Sequence, residues 1–153
     1  MIQEYTRLAR PYFVMLAIVT VGRWLMGTAF GVPYEKGTSI LSIVTLTLFA
    51  SIFSAAFTRR WLGYRLPQAA GFAMYMALVS QVVILLSTAV SYGFNIPSYF
   101  SEPMALNRQT DPIGFAAAMG FRAGGLVVNT LLNGITGALG WALGGLLPAR
   151  GEP

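Results

Sequence analysis

The sequence predicts an all-α membrane protein, a bundle of four transmembrane helices with both termini cytoplasmic. Three observations carry this expectation. Of 153 residues, 56% are hydrophobic and only 10% charged, against roughly a quarter charged in a soluble domain. The apolar residues gather in four runs, about residues 11–32, 38–58, 68–93 and 114–147, each at or beyond the roughly 20 residues a helix needs to cross hydrocarbon. The basic residues are uneven: Arg7 and Arg10 precede the first run, Arg59, Arg60 and Arg65 follow the second, and Arg150 lies in the tail, whereas Lys36 and Arg108 stand alone in the other two loops. Cytoplasmic loops collect Lys and Arg, so the pattern predicts an N-in, C-in protein of the bacterial inner (cytoplasmic) membrane. One transmembrane domain, residues 1–153, uses up the chain.

The first run begins with Pro11, tolerated in the first turn of a helix. Arg23 interrupts its apolar core, which argues for an uncleaved helix rather than a signal peptide. A charge near mid-span costs about 3 kcal/mol on insertion scales. Arg23 therefore either reaches an interface or backbone carbonyls, or holds an anion or lipid headgroup.

The 32–37 segment, with Pro33 and Gly37, reads as a tight connection, after which Thr38 or Ser39 is placed to cap the second helix. That helix carries Thr47, Ser51, Ser54, Ala55 and Thr58 on one flank, a small-residue face suited to close packing. It ends in Arg59, Arg60, Trp61 and Arg65, a basic and aromatic set expected to anchor the cytoplasmic interface in lipid headgroups. The set is short and abuts a span, which argues against nucleic acid as a partner.

The third helix follows Pro67 and places Ala73, Ala77, Ser80 and Gln81 along one side. An unpartnered amide in hydrocarbon is costly, so Gln81 is expected to face the bundle, with Asn129 and Asn133 as candidate partners. The longest loop, residues 95–112, is divided by Pro97, Pro103 and Pro112. Its 98–106 stretch reads as a short interfacial helix with Tyr99 and Phe100 among headgroups, or as a surface for a partner.

The last run carries a stripe of small and amide side chains at helical spacing: Gly120, Gly124, Gly125, Asn129, Asn133, Gly137, Gly140 and Gly144. Little hydrophobic force acts between helices in lipid, so close approach at small residues and amide hydrogen bonds must hold them together. The stripe predicts a helix made to be covered by its own chain, another copy or a different subunit. As one helix, 114–147 would reach roughly 50 Å against about 30 Å of hydrocarbon. Arg122 then falls near the outer boundary, where with Arg23 it forms a candidate anion or headgroup pair.

The chain has no Cys and no His, which removes thiolate chemistry, the usual zinc and haem ligands and the commonest general base. No Asp or Glu falls within a run, so the carboxylates that typically couple protons or ions in transporters are missing. The expectation is a non-enzymatic protein: an accessory or structural subunit of a larger membrane complex, such as an energy-converting one. It packs through its last helix and outer loop, with membrane lipids and other membrane subunits as partners. It needs no cofactor of its own, although a lipid, quinone or pigment can lie at a subunit interface. The alternatives are a self-associating small channel or carrier, as a homo-oligomer, and an anionic-lipid-binding protein.

Overall fold

The computed structural model describes residues 2–37 and 41–147, which form helices and connections with no strand among them. The elements are α1 (Ile2–Leu8), α2 (Arg10–Thr28), α3 (Tyr34–Gly37), α4 (Ile43–Leu62), α5 (Leu66–Gly93), α6 (Pro103–Asn107) and α7 (Phe115–Gly144). Of these, α2, α4, α5 and α7 are long and apolar enough to cross a membrane, and they mark the protein as membrane-embedded.

Local chemistry sets the helix ends. At the end of α2 the chain turns through Gly31 at φ +56°, and the Val32 amide returns to the Met26 carbonyl at 3.0 Å. At the end of α4 the same device recurs, with Gly63 at φ +68° and the Tyr64 amide on the Thr58 carbonyl at 3.1 Å. Both are seven-residue closures around a left-handed glycine, which satisfy carbonyls that the last helical turn leaves free.

Several boundaries differ from the sequence expectation. The N-terminal segment is itself a helix, α1, because Tyr5 and Thr6 find partners further along the chain. The first span stops at Thr28 rather than 32, since Gly31 breaks the helix first. The second begins at Ile43; its expected cap, Thr38 or Ser39, lies outside the described residues, as does Arg150. At 30 residues, α7 is about 45 Å long, still longer than the hydrocarbon it has to cross.

The chain divides into two compact units, one built from residues 1–10, 44–79 and 128–153 and the other from residues 11–43 and 80–127. In the first, α4 and the residues of α5 and α7 within it meet at small side chains. Ala55, Ala69, Ala73 and Ala77 are fully buried there, beside Phe72 and Met76. Helix α1 is fixed by Tyr5, whose hydroxyl donates to the Gln68 carbonyl at 2.9 Å and whose ring centroid lies 5.1 Å from that of Phe72. Burial raises the Tyr5 phenol above its ordinary pKa, and the nearby Glu4 charge adds to the shift.

In the second unit the 97–102 turn is seated against α2 and α5. Gly27 admits it, since a Cβ there would fall 2.9 Å from the Ser98 Cα. Ser91 and Ser98 hydroxyls hydrogen-bond at 2.7 Å, and the Tyr92 hydroxyl donates to the Ile113 carbonyl at 2.7 Å.

Candidate functional site

In the second unit, Arg23 is 7% exposed. Its Nη1 donates to the Leu41 carbonyl at 2.8 Å, while its buried Nε has no hydrogen-bond partner. Three rings surround the guanidinium, with centroids at 5.8 Å (Tyr34), 5.5 Å (Tyr99) and 5.3 Å (Phe100). Arginine is weakly hydrated and stacks on aromatic faces, so such a cage offsets part of the cost of burying its charge.

Arg122 grips the same turn from α7. Its Nε donates to Thr88 Oγ1 at 3.0 Å, its Nη2 to the Phe100 carbonyl at 3.1 Å and its Nη1 to the Ala105 carbonyl at 3.3 Å. Thr88 in turn donates to the carbonyls of Ile84 at 2.9 Å and Phe100 at 3.2 Å. Both arginines thus converge on Phe100, one on its ring and one on its carbonyl. The hydrogen bonds they make go to backbone carbonyls and to Thr88 Oγ1, while Arg23 Nε is left without a partner among the described residues.

The two arginines correct the expectation for the long loop. Tyr99 and Phe100 are 2% and 1% exposed, turned onto Arg23 instead of lying among headgroups. The Tyr99 hydroxyl donates to the carbonyls of Val32 at 2.9 Å and Pro33 at 3.2 Å, and Gly37 leaves room for that hydroxyl where a Cβ would overlap it. Burial raises the Tyr99 phenol above its ordinary pKa, with the Arg23 charge opposing the shift and Glu35 adding to it. The short helix of this loop is confined to Pro103–Asn107.

The small-residue stripe of α7 behaves differently along its length. In residues 128–144, a Cβ on Gly137 would overlap Ala73, and one on Gly140 or Gly144 would overlap the backbone of Ile52 or Ala56. Asn133, 1% exposed, accepts from Ser51 Oγ at 2.7 Å and donates to the Asn129 carbonyl at 2.8 Å. Both polar atoms of its amide are therefore engaged within the first unit. In residues 115–127, no described residue lies within 4 Å of a Cβ built on Gly120 or Gly124, and both are exposed, while Gly125 is half-buried. Gln81 is buried in the second unit.

The basic set after α4 also divides. Arg59 turns inward: its Nη1 donates to the carbonyls of Trp141 at 2.7 Å and Ala142 at 3.2 Å, and the guanidinium lies 3.9 Å from the Trp141 ring centroid. It closes the C-terminal end of α7, where free carbonyls and the helix dipole favour a cation. Trp141 Nε1 donates to the Tyr64 carbonyl at 2.8 Å. Trp61 is exposed and packs edge-on against Phe57 at 4.2 Å, and Arg65 is exposed.

Sequence reasoning missed Tyr34, Tyr99, Phe100, Thr88 and Trp141 as partners of the arginines. The one available signal was the presence of arginines in apolar runs with no carboxylate nearby, which implies rings and carbonyls as partners. In comparisons with known proteins, no family model, no curated protein and no solved structure matches the chain.

Proposed function

We propose that this chain is a non-catalytic accessory subunit of a larger membrane complex, assembling with other membrane helices through residues 115–127 of α7. One observation supports the reading above the rest: Gly120 and Gly124 stand one turn apart with nothing above them. Bare glycines in a spanning helix cost helix stability and offer lipid little contact, but they let another helix backbone come close. Ala116, Ala117 and Ala123 are exposed on the same stretch and keep it low. The reading includes an N-in, C-in orientation in the bacterial inner membrane and leaves room for a lipid, quinone or pigment at the contact. The anionic-lipid reading is less favoured, since Arg122 spends three of its hydrogen bonds on Thr88, Phe100 and Ala105 and Arg23 Nη1 spends one on Leu41.

Mild-detergent extraction of the native protein, followed by native electrophoresis and mass spectrometry, tests this reading. It predicts co-migration with other membrane proteins at a fixed ratio. Migration of the chain alone, as monomer or homo-oligomer, would overturn it.

A further inference from the structure

The end of the first unit that carries α1 is strongly basic. Residues 2–10 and 59–66 hold five of the chain's ten basic residues, Arg7, Arg10, Arg59, Arg60 and Arg65, against one acid, Glu4. Three hydrogen bonds bring the two stretches together. The Tyr5 hydroxyl donates to the Gln68 carbonyl at 2.9 Å, the Gln68 side chain accepts the Arg65 amide at 2.8 Å, and the Tyr64 hydroxyl donates to Glu4 Oε1 at 2.6 Å. The last of these has an electrostatic consequence, because it turns the single carboxylate of these stretches onto a buried phenol. Arg59 is spent on the carbonyls that end α7. Arg7, Arg10 and Arg65 are exposed, and their guanidinium groups have no hydrogen bond or ion pair among the described residues. Exposed apolar side chains flank them in sequence, Ile2 on α1 and Trp61, Leu62 and Leu66 around the turn from α4 to α5.

We propose that this surface binds the headgroups of anionic phospholipids, with Arg7, Arg10 and Arg65 as the phosphate-binding side chains. A guanidinium presents paired N–H donors to phosphate oxygens, and basic side chains at the end of a span are drawn to an anionic leaflet. The apolar side chains beside them select the bilayer boundary over a soluble polyanion, since Ile2, Trp61, Leu62 and Leu66 can reach acyl chains while the arginines stay among headgroups. The members differ from the anchor expected from the sequence: Arg59 drops out, and α1 brings in Arg7 and Arg10. This lipid contact stands beside the assembly role, rests on arginines other than Arg23 and Arg122, and does not depend on what covers α7.

The test is native mass spectrometry of the full-length protein in an uncharged maltoside detergent, titrated with phosphatidylglycerol and, separately, with phosphatidylcholine of the same acyl chains. Expected is retention of phosphatidylglycerol at clearly lower lipid concentration. The triple variant Arg7→Gln/Arg10→Gln/Arg65→Gln should weaken phosphatidylglycerol binding by about tenfold and bring it to the level of phosphatidylcholine. Arg7→Lys/Arg10→Lys/Arg65→Lys, which keeps the charge, should retain the preference, and so should Lys36→Gln/Arg108→Gln, which removes two exposed cations of the second unit. Equal retention of the two lipids by the wild type, an undiminished preference in the triple glutamine variant, or an equal loss in the Lys36→Gln/Arg108→Gln variant would each overturn the proposal.

Discussion

Residues 128–144 and 115–127 of α7 are both rich in glycine, yet the glycines meet different surroundings. In the first stretch, Gly137, Gly140 and Gly144 mark places where α4 and α5 of the same chain come too close for a Cβ. In the second, Gly120 and Gly124 face open space. A glycine forced by packing and a glycine facing nothing have the same letter and the same helical cost. What separates them is whether the chain itself supplies the second surface. In 128–144 it does, and the stripe is internal packing; in 115–127 no described residue lies within 4 Å of a Cβ on Gly120 or Gly124.

The largest expected effect lies on the packed side. Gly140→Leu drives a side chain into the Ile52 backbone and should cost about 3 kcal/mol or more, read as loss of folded yield or a large fall in the unfolding midpoint in SDS. A normal midpoint would mean that α4 and α7 are not in close contact. Arg59→Ala removes both the closure of the α7 carbonyls and the stacking on Trp141, and should cost about 1–2 kcal/mol in the same assay. Asn133→Leu breaks the bond to Ser51 and should cost about 1 kcal/mol, with Ser51→Ala costing less because Asn133 retains the Asn129 carbonyl.

A pH titration sharpens the account of the first unit. Tyr64 donates to Glu4 at 2.6 Å, and its phenol is raised above its ordinary pKa of about 10, first by burial and then by Glu4. The folded state therefore holds this proton more tightly than the unfolded state. The stability it contributes is fully present below pH 10 and declines as pH rises above it. Unfolding midpoints should fall in that alkaline range, and Tyr64→Phe should flatten the fall. The smallest effect on the isolated chain is expected on the bare side, where Gly124→Ala should change stability by less than about 1 kcal/mol, in the stabilising direction.

The contrast also explains what the sequence could and could not reveal. The four spans were legible because length and apolarity are local properties, whereas the closures at Gly31 and Gly63 that end α2 and α4 were not read from the sequence. Arg23 was legible as a costly residue, but its cage was not. Leu41 is 18 positions away, and Tyr99 and Phe100 lie in a loop whose composition suits lipid as well as burial. Arg59 read as a headgroup anchor because basic residues at a span end usually are; that it closes α7 depends on a contact 82 positions along the chain. The stripe from Gly120 to Gly144 was visible as one pattern, and that its 128–144 part is covered follows only from where α4 and α5 run within the first unit.

The most direct measurement is native mass spectrometry of complexes extracted with the Gly120→Leu/Gly124→Leu variant beside the wild type, with the SDS unfolding midpoint of each recorded in parallel. The account predicts an unchanged midpoint for the variant and loss of the membrane subunits that accompany the wild type. Retention of those subunits at the wild-type ratio, or a wild type that carries none, would contradict it.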